Sequence, residues 1–217
     1  RDLKPDNIMV GEFGEVVVMD WGLAVDFSDP PRHEGIAPRA IDIRSPCGTP
    51  AFMAPELALG VGEDIGARTD VYLLGALLYR ILAGEPPHLG ETLTEVLVAA
   101  VRSQPPALDA SIPEALSAIC FKALSKAPTD RHPTVRAFHD DLEGYLAHRE
   151  SLLLTRTATD LLAGSADPGE ERVAGTYGAL NQALSSFRHA RLLWHDNPEA
   201  IAGEIATRKA IIRKAIE

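Results

Sequence analysis

The chain is short of cysteine, of aromatic residues and of positive charge, and each shortage removes a class of protein. Its two cysteines, Cys47 and Cys120, fit no metal-ligand spacing and give no disulfide framework, so the sequence reads as belonging to a reducing, cytoplasmic compartment. Lys and Arg number 21 against 31 Asp and Glu, a formal net charge of −10. With no basic stripe to neutralise phosphates, a nucleic-acid partner is excluded. No run of about 18 uncharged apolar residues occurs, so no membrane span is expected. The nearest run, 71–83, is broken by Arg80 and reads as a buried helix. The chain begins at Arg1 without an initiator methionine or a signal peptide, and reads as a piece of a longer product.

What is present suffices for one good core and a small second unit: 46% of the 217 residues are hydrophobic. Two short apolar runs, Ile8-Met9-Val10 and Val16-Val17-Val18-Met19, flank a glycine-containing turn and predict a hairpin that holds Asn7 and Asp20 close at its outer ends. From Leu23 to Pro50 the composition turns to Pro, Gly, Asp and Arg without a period, as in a long functional loop. The 70–83 run ends at Gly84 before Pro86-Pro87 and predicts a central helix; amphipathic helices follow over 92–102, 113–124 and 133–148. Residues 151–162 can continue a helix, but 149–172 as a whole is assigned to a linker on the strength of Gly-Ser-Ala-Asp-Pro-Gly. Helices over 173–194 and 198–216 close the chain.

Three signals carry chemistry: Arg1-Asp2-Leu3-Lys4-Pro5-Asp6-Asn7, then Asp20-Trp21-Gly22, then Gly48-Thr49-Pro50 leading into Ala54-Pro55-Glu56. In that order and spacing they resemble the catalytic loop, the metal-binding loop and the activation-segment end of the protein kinases, in the serine/threonine branch. The resemblance covers the C-terminal lobe alone, residues 1–148, and implies a mainly α fold with a small β-hairpin at its start, followed by a helical extension. Over 173–217, Ala183, Phe187 and Ala190 follow the small–aromatic–small spacing of a tetratricopeptide repeat, against which stands a generic helical hairpin.

The resemblance implies a role for each residue. Asp2 accepts or orients the proton of a substrate hydroxyl, and Lys4 sets its ammonium against the transferred phosphate. Asn7 and Asp20 supply the hard oxygens that Mg²⁺ prefers, so ATP and Mg²⁺ are the implied cofactors. Gly22 is expected to let the backbone turn sharply after Asp20. Thr49 shapes the substrate pocket beside Asp2 and Lys4. Glu56 and Arg131 form a buried ion pair, and Asp70 opens the central helix against the catalytic loop, all three as supports. Arg1 senses a phosphate on the activation loop; Ser45 is the leading phosphosite, with Arg44 beside it, and Ser28 the second. Cys47 reads as a quiet small apolar residue, and no histidine is given a catalytic or metal role; His88 sits where the family often has an aromatic.

A glycine-rich loop over the phosphates, its strand lysine and the helix glutamate that holds it are not among these 217 residues. The missing N-terminal lobe is therefore an expected partner, beside the protein substrate and a partner protein on the C-terminal helices. The exposed face it leaves should be apolar, and the chain alone should bind ATP poorly and transfer phosphate negligibly. A non-catalytic, kinase-derived scaffold is the competing reading, which the presence of all four residues Asp2, Lys4, Asn7 and Asp20 disfavours.

Overall fold

A 3-10 turn at Pro5–Asn7 delivers the chain into an antiparallel hairpin, β1 (Ile8–Val10) and β2 (Val16–Val18), with Ile8 opposite Val18 and Val10 opposite Val16. The computed structural model describes residues 1–32, 35–163 and 177–216. Beyond the hairpin the architecture is helical: α1 (Pro55–Leu59), α2 (Ala67–Ala83), α3 (Leu93–Arg102), α4 (Glu114–Ala123), α5 (Val135–Ala163), α6 (Tyr177–Leu193) and α7 (Pro198–Ile216). Contacts divide the chain into two compact units, Arg1–Leu142 and Glu143–Glu217. None of the described helices is long and apolar enough to cross a membrane.

The first unit is organised around α2, whose Val71, Tyr72, Leu73, Ala76 and Tyr79 are all at most 1% exposed. Tyr72, Leu73, Ala76 and Tyr79 meet Met53, Leu57, Ala100, Cys120 and Leu124 in one core, while Val71 packs with Ala123 and Phe138. Burying a leucine such as Leu57 or Leu73 contributes roughly 1.5–3 kcal/mol. The predicted helix starts three residues early, at Ala67, because Thr69 Oγ1 accepts from the Gly66 N–H and caps the first turn. Its end at Gly84, in the left-handed conformation, is where the sequence put it. Helix α3 starts with a capping box, Thr92 with Glu95. The Tyr72 hydroxyl lies inside the core, 2.7 Å from Ser103 Oγ and 3.0 Å from Nε2 of the buried His88, and Ser103 donates on to the Leu124 carbonyl at 2.9 Å.

Over residues 149–163 the linker assignment is corrected: α5 continues without a break to Ala163. The reason is packing, since Leu154, Ala158, Leu161 and Leu162 face Ala183, Phe187, Ala190 and Ala200 in a second core. Residues 164–172 of the assigned linker, and 173–176 of the helix expected after it, lie outside the described residues. In the second unit Asn197 Nδ2 donates to Ser151 Oγ and Thr155 Oγ1, Ser151 donates to the Ala190 carbonyl, and Asn197 Oδ1 caps α7 at the amides of Glu199 and Ala200. Ser151, Thr155 and Asn197 thus satisfy one another across the buried seam of these helices.

Both faces of the β1–β2 hairpin are largely bare. Met9, Val10, Phe13, Val16 and Val17, with Trp21 just beyond, are each more than half exposed. The Trp21 ring stands 71% exposed, its indole N–H on the Val18 carbonyl at 3.1 Å.

Candidate active site

Asp2 is the hub. Its Oδ1 accepts from the Thr49 hydroxyl at 2.7 Å, and its Oδ2 lies 3.1 Å from Lys4 Nζ and 3.2 Å from Asn7 Nδ2. Lys4 Nζ also donates to Thr49 Oγ1 at 2.8 Å, closing a three-membered ring of contacts. Lys4 precedes Pro5, whose fixed φ suits the start of the tight 3-10 turn that brings Asn7 back over Asp2. There the Asn7 amide donates to the Asp2 carbonyl at 2.8 Å. Burial raises the Asp2 pKa, but hydrogen bonds from Thr49 and Lys4, with the Lys4 charge, outweigh it and hold the carboxyl below its ordinary value.

The hairpin carries the other oxygen donor to the same end. The Met19 N–H donates to the Asn7 carbonyl at 2.8 Å, so Asp20 follows directly from the residue paired with Asn7. Both side-chain bonds of Asn7 use Nδ2, which leaves its side-chain Oδ1 for a hard cation. Asp20 is exposed and binds the Gly22 N–H through Oδ1 alone, at 3.2 Å. Two hard oxygens at one end of a hairpin fit a magnesium ion. The sharp turn expected of Gly22 belongs to Asp20 itself, at φ 55° and ψ 75°. Its own carboxylate, bonded two residues on, stabilises that left-handed backbone.

The segment bearing Thr49 is fixed at both ends. Gly48 has φ +112°, and a Cβ there would lie 3.1 Å from the Arg1 carbonyl oxygen and 3.7 Å from Asp2 Oδ1. The sequence reading placed Thr49 beside Asp2 but gave Gly48 no part in it; Gly-Thr after a polar loop is the local signal for this close approach. At the other end Arg131 is pinned beneath the segment: Nε donates to the Ser125 carbonyl at 2.8 Å, Nη1 to Arg68 O and Nη2 to Lys126 O, both at 3.0 Å, and its guanidinium stacks 4.7 Å from the Tyr72 ring centre. Glu56 takes the two remaining donors. Tyr72 was another residue the sequence did not single out.

Other expected partners meet differently. Asp70 Oδ1 lies 3.5 Å from the Arg1 backbone nitrogen and forms no hydrogen bond among the described residues. The Arg1 guanidinium is engaged, Nε on the Leu23 carbonyl at 2.6 Å and Nη1 on Cys47 Sγ at 2.9 Å, so Cys47 is a polar partner. Arg44 turns away from Ser45 to the carbonyls of Ile41 and Ile43, which outcompete a neutral serine for a guanidinium. Ser45 is exposed, whereas the Ser28 hydroxyl is held by the Asp26 carboxylate.

A family model described as the protein kinase domain matches residues 1–142. The chain is 36% identical over 183 residues to the serine/threonine-protein kinase PknB of Mycolicibacterium smegmatis, covering 81% of this chain and 28% of that protein. It is 37% identical over 172 residues to the serine/threonine-protein kinase Pkn1 of Myxococcus xanthus, with 75% and 23% covered. Against the serine/threonine-protein kinase PknD of Protochlamydia amoebophila it is 37% identical over 163 residues, with 69% and 16% covered. The chain thus spans less than a third of the length of each of these relatives.

Proposed function

Because the chain belongs to the protein kinase family, we propose that it is the catalytic lobe of a serine/threonine protein kinase, which moves the γ-phosphoryl group of ATP to a Ser or Thr hydroxyl of a protein. The observation that carries this reading is the ring of contacts among Asp2, Lys4 and Thr49. An Asp2 held ionised accepts the hydrogen bond of the incoming hydroxyl and takes its proton as the new O–P bond forms and the bond to the β-phosphate oxygen breaks. A carboxylate of low basicity suits a loose transition state, which asks for alignment more than for early deprotonation. Lys4 sets a positive charge beside that carboxylate, where the phosphoryl oxygens gather negative charge. Asn7 and Asp20 would hold Mg²⁺, which when bound would supply positive charge against the phosphates of ATP. Thr49, tied to both Asp2 and Lys4, borders the pocket of the residue that follows the phosphorylated one.

The bare apolar surface of the hairpin supports a place there for the nucleotide-clamping lobe, whose phosphate-gripping residues are not among these 217. The two free thiols, Cys47 and Cys120, suit a cytoplasmic setting. In the complete protein, Asp2→Asn should lower phosphate transfer from ATP about 10²- to 10⁴-fold while leaving ATP affinity intact. Undiminished transfer sinks the assignment. Purified alone, the 217-residue chain should transfer none; robust ATP-dependent phosphorylation by it overturns that part of the proposal.

A further inference from the structure

Residues 177–216, the α6–α7 pair, carry six Lys and Arg against three Asp and Glu in a chain whose net charge is −10. Arg188 Nε, Arg191 Nη1 and Arg208 Nη2 converge on the Glu204 carboxylate at 3.2, 2.7 and 2.5 Å. Glu204 is 4% exposed, while Arg188 and Arg208 remain 57% and 52% exposed. Three guanidiniums on one carboxylate leave two positive charges unmatched within the cluster. Each guanidinium carries five N–H donors, and Glu204 takes one from each. Arg191 Nε is buried without a hydrogen-bond partner among the described residues. Burial raises the Glu204 carboxyl, but the arginines outweigh it and hold the group below its ordinary value, so the three remain committed to an anion.

Beside this cluster α7 is amphipathic toward solvent. Ile205, Ile212 and Ile216 are 47%, 61% and 81% exposed and, spaced by seven and four, form one stripe along the helix. Arg208, Lys209, Arg213 and Lys214 lie among them, and residues 205–216 contain no acid. A structural ion pair for a buried glutamate needs one arginine. Three, set next to an exposed isoleucine stripe, make a surface with charge and apolar area together.

We propose that this face of α6 and α7 docks an acidic amphipathic segment of a partner protein. The partner's apolar residues lie on Ile205, Ile212 and Ile216, and its carboxylates or phosphorylated side chains share the free donors of Arg188 and Arg208. Planar guanidiniums already grip one carboxylate here, the geometry that binds a second or a phosphate. An anionic bilayer is the less suited occupant, because a strongly acidic chain is repelled by it.

The test is selection from a random dodecapeptide library on the immobilised 217-residue chain, followed by anisotropy titration of the enriched peptides. Enrichment of acidic sequences with apolar residues at helical spacing is expected. Binding should weaken about tenfold in R188Q/R208Q, where Arg191 still pairs with Glu204, and fall steeply with salt. Ile212→Ser, which leaves the ion cluster intact, should weaken the same peptides and keeps the test decisive should the double variant lose helicity. Phosphoserine and glutamate versions of a selected peptide distinguish the two sources of anion. Enrichment of basic or neutral peptides, or binding unchanged by these substitutions, overturns the proposal. Sedimentation with phosphatidylserine vesicles that is lost in R188Q/R208Q, without selected acidic peptides, assigns the face to a membrane surface and also overturns it.

Discussion

Arg131 meets Glu56 through two parallel bonds, Nη1 to Oε1 at 2.7 Å and Nη2 to Oε2 at 2.9 Å, with both side chains at most 3% exposed. Removing either partner strands a buried charge, so Glu56→Gln or Arg131→Met should each destabilise the first unit by about 3–5 kcal/mol. The apolar double variant E56L/R131M should cost less than either single change. Urea unfolding, with hydrogen exchange of α2 amides reporting on this unit alone, measures all three. A double variant as unstable as the sum of the singles contradicts the argument.

Thr49 should set the ionisation of Asp2. Its hydroxyl is among the groups that lower that carboxyl, so Thr49→Val should raise the Asp2 titration midpoint, while Thr49→Ser leaves it in place. A group depressed in the fold stabilises it above its unfolded value, near the ordinary 3.8, and loses that contribution as pH falls through the folded midpoint. Thr49→Val should therefore also narrow the stability lost on acidification below that value. Carboxyl-carbon NMR titration of the two variants decides it.

His88 should make the first unit acid-sensitive at a higher pH. Burial lowers its pKa from 6.5 to about 4, the Met53 carbonyl offsetting only part of this. As pH falls below 6.5 the unfolded chain takes the proton first, and stability declines until the folded midpoint is passed. The full window corresponds to about 3 kcal/mol. His88→Phe should flatten the profile between pH 6.5 and 4, apart from the smaller share of His132, which burial also lowers. An unchanged slope in thermal unfolding across that range refutes it.

Gly203 should tolerate no side chain. A Cβ there would lie 2.3 Å from two ring atoms of the fully buried Phe187. Gly203→Ala forces the ring or the helix to shift, at about 1–3 kcal/mol. Calorimetry of the pair should show loss of the second unit's stability; an alanine variant equal to the parent, despite alanine's better helix propensity, would speak for a slack hairpin.

Ser45 should be the switch in preference to Ser28. A phosphate on Ser28 would face the Asp26 carboxylate, whereas Ser45 is open. In the complete protein Ser45→Ala should lower activity several-fold and Ser28→Ala should not; full activity of Ser45→Ala removes the site from consideration.

The clustering of the candidate site was legible because its residues sit on short loops and their types are unusual together: Asp2, Lys4 and Asn7 lie within six residues. The hairpin followed from two apolar runs, and α7 from Pro198 at its first position. Pairings distant in sequence, such as Glu56 with Arg131, came only through the family resemblance, since nothing local marks them. The continuation of α5 to Ala163 was obscured by a composition typical of linkers just beyond it, and depends on partners in α6 and α7 that no local window contains. Backbone conformation was least legible. The left-handed turn fell on Asp20, where a side-chain bond stabilises it, although Gly22 stood two residues away.

The hydroxyl of Tyr72 stands in a line of four groups whose last member, the Leu124 carbonyl, can only accept. Ser103 gives it its single proton, so Ser103 Oγ must in turn receive the proton of Tyr72. The tyrosine oxygen is left as an acceptor, and His88 must serve it from Nε2. A peptide oxygen at the end of α4 thereby dictates the tautomer of an imidazole three hydrogen bonds away. Nδ1 of that ring carries the bare lone pair, and it is the atom to which an added proton must go.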